Sequence, residues 1–336
     1  GLGDGASGPK PAAPTGAGKG RRPPPDPDWI VEGIRAGERT RLARGITLVE
    51  SRAEAHLPVA REILRQCLPE SGKSRRIGIT GVPGSGKSTL IESFGLRLCE
   101  QGSRLAVLAV DPSSSRSGGS ILGDKTRMER LSRHPSAFIR PSPSAGTLGG
   151  VAARTREAMI LVEAAGYDTV FVETVGVGQS EVAVRSMVDF FLLLQIAGGG
   201  DELQGIKKGV IEICDAIAVN KADGDNLSRA RRARAEYARV LQYIDPYSEG
   251  WEPRALAISA ATGDGLADLE GLIDGFLDER REAGLVRAER SRQNAMWFDS
   301  LLREAILRRA LSSPELAGRI GSLREQVAKG EMPVGE

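Results

Sequence analysis

The chain has 336 residues, 40% of them apolar, which is enough for a large core and for about two domains, or one α/β domain with additions. Lys and Arg (46) nearly balance Asp and Glu (44), for a formal net charge of +2. That balance argues against nucleic acid as a partner, which needs a concentrated basic face, and no apolar run approaches the ~20 residues of a membrane span. Three cysteines (Cys67, Cys99, Cys214) lie far apart, and there are two histidines, His56 and His134. Neither a disulfide framework nor a zinc site is expected, and buried free thiols fit a reducing compartment: cytoplasmic, or the mitochondrial matrix in a eukaryote.

Residues 1–28 are rich in Gly, Pro and Ala and read as a disordered tail. From Trp29 the pattern turns helical. Ile30, Ile34, Leu42, Ile46, Leu48 and Val49 fall near 3.6 spacing, and Val59, Ile63, Leu64 and Leu68 continue a second helix. This predicts an N-terminal helical arm over 29–74. Apolar strands then alternate with helices: Ile77–Thr80, Leu105–Val110, Ala137–Ile139, Thr169–Val172, Phe190–Leu194, Ala216–Asn220 and Ala255–Ser259. The alternation predicts an α/β nucleotide domain over 75–282, with a mainly parallel sheet covered on both faces and ligands at the C-terminal strand ends. After Gly265 the chain reads as helical to about Lys329. Residues 283–336 carry a stripe (Trp297, Phe298, Leu301, Leu302, Ala305, Ile306) that needs a partner, either the domain itself or a second copy; of the two, a dimerisation arm and a homodimer are expected.

Gly81-Val82-Pro83-Gly84-Ser85-Gly86-Lys87-Ser88 is a complete G-x-x-x-x-G-K-[ST] phosphate-binding loop between the first strand and a helix that starts at Ser88-Thr89. Backbone N–H groups there surround a phosphate chain, Lys87 reaches the β and γ phosphates, and Ser88 holds Mg²⁺. Asp111, at the tip of the second strand, is either a Mg²⁺ carboxylate or a turn-forming Asp-Pro. The polar stretch 113–120 has the character of a switch loop, and Asp124 adds a second candidate carboxylate. The fourth strand runs into Glu173-Thr174-Val175-Gly176, with the spacing of an Asp-x-x-Gly switch: Glu173 addresses the Mg²⁺ water shell and Gly176 the γ-phosphate. Val177 stands where Ras-like enzymes place the water-orienting Gln, which predicts slow intrinsic hydrolysis accelerated by a partner. The Gly198–Gly200 run before Asp201 reads as a third mobile loop or as an ordinary connection capped by Asp201.

Asn220-Lys221-Ala222-Asp223 carries base choice. A carboxylate accepts from guanine N1–H and its exocyclic amine, and adenine offers neither in that arrangement. Asn220 addresses the other edge of the base, the Lys221 stem lies along the ring, and Ser259-Ala260-Ala261 supply a backbone clamp for O6. In this order, after the phosphate loop, the motif makes GTP the expected nucleotide.

Taken together, Gly81–Ser88, Val110–Met128 (VDPSSSRSGGSILGDKTRM), Arg140–Gly150, Glu173–Glu181, Gly199–Gly209 and Asn220–Gly224 closely resemble the MeaB/ArgK family of P-loop GTPases, which escort adenosylcobalamin-dependent acyl-CoA mutases. The likeness spans roughly residues 29–330; Gln195 departs from the Pro often found before the third loop. The resemblance implies a G domain with GTP/GDP and Mg²⁺, a C-terminal dimerisation arm and a homodimer. It assigns Mg²⁺ and switch roles to Asp111, Asp124 and Glu173, and a mutase-coupling switch to the loop with Asp201 and Lys207. The implied partner is methylmalonyl-CoA mutase or a close relative, whose cobalamin loading or repair the GTPase would gate. Two other readings are a metallochaperone, which lacks Cys/His clusters here, and a transport-linked kinase, which lacks an evident acceptor site and base.

Overall fold

The computed structural model describes residues 25–51, 53–110, 128–141, 148–174, 180–197 and 208–335. Seven strands form one parallel sheet in the order β3-β2-β4-β1-β5-β6-β7. They are β1 (Arg75–Gly81), β2 (Leu105–Val110), β3 (Ala137–Arg140), β4 (Thr169–Thr174), β5 (Phe190–Ile196), β6 (Ala216–Asn220) and β7 (Arg254–Ala257). Each lies where its apolar run predicts a strand. Continuous rather than alternating apolar sequence is what a strand buried on both faces requires, and β2 and β4 are buried at every residue. β7 stops at Ala257, two residues before its expected end, and 258–265 form a loop instead.

The described residues form twelve α-helices: α1 (Pro27–Arg35), α2 (Arg39–Glu50), α3 (Leu57–Cys67), α4 (Lys87–Glu100), α5 (Glu129–Arg133), α6 (Leu148–Ala164), α7 (Ser180–Arg185), α8 (Lys208–Ile211), α9 (Leu227–Leu241), α10 (Leu266–Glu282), α11 (Leu285–Ser312) and α12 (Pro314–Ala328). One face packs α4, α5 and α10 against the sheet, with Phe94 stacked on Phe171 at 5.6 Å and Phe276 edge-on to Phe190 and Trp251 at 5.0 Å each. Such aromatic pairs add ~0.5–1.5 kcal/mol beyond the area they bury. The other face packs α1–α3, α6 and α9.

Two features differ from the sequence-based expectation. First, α1 begins at Pro27, inside the stretch read as tail. The Asp26 side chain accepts from Asp28 N at 3.0 Å and proline sits in the first turn, both helix-starting signals. Second, 29–67 form three helices, because Gly37 takes φ +72° and reverses the chain between α1 and α2. Nor do these helices stand apart from the sheet domain. Ile30, Ile34, Leu42 and Ile46 are fully buried in the core shared with α6, and a side chain at Gly45 would meet Ile30, Ile34 and Leu161 at 3.1–3.2 Å.

Gly284 at φ +72° separates α10, which buries its apolar stripe on the sheet, from α11. Along the 28 residues of α11 only Gln293 is buried, and α12 buries nothing. No described helix is long and apolar enough to cross a membrane.

Candidate functional site

β1 and α4 are joined by a loop whose shape demands its glycines. Gly84 and Gly86 adopt φ +79° and +90°, a region costly to residues with a Cβ. A Cβ on Gly86 would also lie 2.5 Å from Asn220 Nδ2, and one on Gly81 2.3 Å from the Leu194 carbonyl. α4 starts from Gly86 with no side-chain cap, so its first N–H groups face out of the helix end, where its dipole favours an anion. Beneath the loop, the Ser85 hydroxyl is fully buried without a hydrogen-bond partner. Ser88 and Thr89 sit on the first turn of α4, Ser88 half-buried and Thr89 exposed, while Pro83 is exposed on the loop.

Lys87 folds back to donate to the carbonyls of Gly81 (2.8 Å) and Val82 (3.4 Å). Burial lowers its pKa from the ordinary lysine value, opposed by the nearby charges of Glu173 and Glu181. An anion at the helix end supplies what this half-desolvated ammonium lacks. Glu173, buried at the C-terminal end of β4, lies opposite Ile79 of β1 and Ala109 of β2, close to the tip of each. Thr174 donates to Thr80 at 2.8 Å and pins the two strand ends together. Glu181, buried on α7, was not singled out from sequence; no local pattern brings it toward Lys87.

The base end is assembled by Asn220, buried at the tip of β6. Its Nδ2 donates to the Ser85 carbonyl at 2.8 Å, and its Oδ1 accepts from Ala260 N at 2.9 Å. One side chain thus locks the phosphate loop to the 258–261 loop and retains one N–H and one lone pair for a base edge. The Ser259 hydroxyl donates to the Asp223 carboxylate and accepts from Thr262 N at 3.2 Å. Lys221 is the one non-glycine with positive φ (60°) among the described residues, and Asn226 Nδ2 donates to its carbonyl at 2.7 Å. Backbone strain of this kind, of order 1–3 kcal/mol, collects at binding loops. Ala261 is exposed on the following turn, while Ala260 N–H is already engaged by Asn220.

The structure therefore gathers Gly81–Thr89, Glu173, Asn220, Lys221, Asp223 and Ser259–Ala261 at the C-terminal edge of the sheet, the edge where parallel α/β sheets bind ligands. Asp111, Asp124, Gly176, Val177, Asp201 and Lys207 lie outside the described residues. Among the described residues, Ser88 Oγ and the Glu173 carboxylate are oxygen donors of the kind that suits Mg²⁺. Cys67, Cys99 and Cys214 are all buried, and burial raises each thiol, Cys67 to about 11. Such thiols are poor metal carriers at neutral pH.

Residues 42–315 match the family described as methylmalonyl Co-A mutase-associated GTPase MeaB. Among similar proteins, the "Probable GTPase Rv1496" of Mycobacterium tuberculosis is 50% identical over 305 residues, covering 91% of each chain. The mouse "Methylmalonic aciduria type A homolog, mitochondrial" is 45% identical over 318 residues, covering 92% of this chain and 77% of its own. A solved structure described as an LAO/AO transport system kinase superposes with a TM-score of 0.75 at 37% identity, covering 92% of this chain and 93% of its own. With the phosphate loop and the 258–261 loop locked together by Asn220, and a family match across most of its length, the chain belongs to the MeaB family of P-loop GTPases.

Proposed function

We propose that this GTPase is a chaperone that gates adenosylcobalamin loading or repair on a cobalamin-dependent acyl-CoA mutase, methylmalonyl-CoA mutase or a close relative. The observation that carries the reading is the match of residues 42–315 to a family described by its association with that mutase. The site supports the nucleotide part of it. Asp223, aimed by Ser259, selects guanine; the Gly84–Ser88 backbone and Lys87 hold the phosphates; Asn220 makes base and phosphate ends respond as one unit. In GTP hydrolysis the chain supplies positioned N–H donors and the Lys87 ammonium for charge that builds on the transferring phosphoryl group. We assign Mg²⁺ to Ser88 and Glu173, with Asp111 and Asp124, where it would neutralise phosphate charge. Glu173 is further assigned the ordering of the attacking water's surroundings. Val177 in place of a water-orienting Gln makes hydrolysis slow until the partner completes the site.

In this reading residues 283–336 form the dimerisation arm of a homodimer. Met296, Leu302, Ile306, Leu307, Leu316 and Leu323 leave large apolar side chains exposed along α11 and α12. The protein works in the cytoplasm, or in the matrix in a mitochondrial setting such as the mouse relative's name states.

A second reading, a transport-linked kinase, is favoured by the 37% identity to the solved LAO/AO transport system kinase. The fate of the γ-phosphate separates the two. With γ-labelled GTP, the purified protein is expected to release label as inorganic phosphate. Label transferred to a protein or small-molecule acceptor would favour the kinase reading.

A further inference from the structure

On the opposite edge of the sheet from the phosphate loop, a cleft of about 810 Å³ opens between the residues leading into β1, α6 and the first half of α11. Its size falls within the range of small-molecule sites. Its lining carries six cationic side chains, Lys73, Arg76, Arg156, Arg281, Arg287 and Arg290, and among the described residues not one carboxylate. In a chain with almost equal numbers of acids and bases, that segregation is local. Three of the six are compensated from behind or beside the wall: Arg76 by Glu163 at 2.8 Å, Arg290 by Asp189 at 2.6 Å and Arg281 by Asp278 at 3.5 Å. Lys73, Arg156 and Arg287 have no acidic partner among the described residues.

Arg156 is the most informative of these. It is half-buried, hydrogen-bonds to Ser186 through a backbone carbonyl and a hydroxyl, and stands 5.5 Å over the Trp297 ring. Burial first, and then the neighbouring Arg76, push the Arg156 guanidinium down to about 10. The Trp297 indole N–H, in the same wall, is buried without an acceptor, a costly state for a donor-only group. The remaining wall is apolar, formed by Met159, Ile160, Met187, Trp297 and Phe298. Uncompensated cations beside an apolar floor suit a ligand that is anionic at one end and apolar at the other.

We propose that this cleft binds a small amphipathic anion, with a phosphate or carboxylate head between Lys73, Arg156 and Arg287 and an apolar body along Met159, Met187 and Trp297. Because α11 forms one wall and α6 the other, the bound anion fastens the C-terminal helices to the nucleotide domain at a site separate from the GTP pocket.

The test uses the full chain in its solution assembly, saturated with GDP so that the phosphate loop is filled. Decyl phosphate and decanol are titrated calorimetrically, with tryptophan emission followed in parallel. The double variant Lys73→Glu/Arg287→Glu reverses two exposed charges outside the hydrophobic core, and retained GDP binding reports its folding. Expected are one decyl phosphate per chain, binding at least about tenfold weaker for decanol, and a loss of at least about tenfold in the variant, as charge-assisted hydrogen bonds to the phosphate are lost. No binding of decyl phosphate, equal binding of decanol, or unchanged affinity in the variant would overturn the proposal.

Discussion

In the proposed reading Asp223 discriminates bases while its carboxylate is aimed, and Ser259 aims it with a hydrogen bond that leaves the second oxygen for the base. Replacing the carboxylate by an amide turns one acceptor into a donor facing the exocyclic amine of guanine. Asp223→Asn is expected to weaken GTP binding by at least about 100-fold while gaining xanthosine triphosphate, whose C2 carbonyl accepts from the new N–H; competition against a fluorescent GTP analogue measures both. Away from the nucleotide, Glu157 on α6 is pushed up to about 7 by burial, with Glu50 adding to the rise and Arg154 opposing it. Its folded pKa exceeds the unfolded value of 4.5. The folded state therefore holds the extra proton between those limits, and this group's contribution to stability is lost as pH rises through 7. Glu157→Gln should raise stability at pH 8 by roughly 1–3 kcal/mol and leave it nearly unchanged at pH 4.5. Urea midpoints at the two pH values check this, and an equal shift at both would contradict it. The N-K-x-D spacing made Asp223 legible as a candidate base-binding residue, and the structure places it beside Ser259. The bracket made by Asn220 was not legible, because it joins residues 135 and 40 positions away in sequence.

At the scale of elements, the strands were legible because each is a short apolar run bounded by polar or glycine residues, and both faces are covered. The helices before the sheet were less so. The break at Gly37 is a backbone event, and a 3.6 periodicity carries on across it with little trace. Least visible was how α11 attaches. Arg290 makes two bonds to the Asp189 carboxylate, at 2.7 and 2.6 Å, and donates to the carbonyls of Gly72 and Ser74. Gln293 reaches the Val188 carbonyl at 2.9 Å. One helical turn thereby grips the entries of β1 and β5. Asp189 is nearly inaccessible, so Arg290→Ala leaves a buried charge without its main partner. The expected cost is ~3–5 kcal/mol, read as a lowered urea midpoint in a variant that still binds GDP at low temperature. A cost below about 1 kcal/mol would mean that the grip is incidental.

At the scale of the molecule, the phosphate loop and the proposed nucleotide site lie at the C-terminal edge of the sheet, while the opposite edge carries the attachment of the C-terminal helices. The exposed apolar stripe of α11 and α12 has no counterpart within the described chain, which is the physical case for a second copy. Leu302→Glu/Ile306→Glu places two charges on that stripe. Light scattering is expected to show a monomer with GTP affinity unchanged; a dimer of undiminished stability would remove α11 from the interface. The central claim is that GTP hydrolysis serves another enzyme's cofactor. Its most direct test is the single-turnover GTP hydrolysis rate of the wild-type protein, alone and with each adenosylcobalamin-dependent acyl-CoA mutase from its own cell. Slow hydrolysis alone and an increase of at least about tenfold with one such mutase is the predicted result. A rate that no mutase changes, with no mutase retained on the GTP-bound protein, would contradict it.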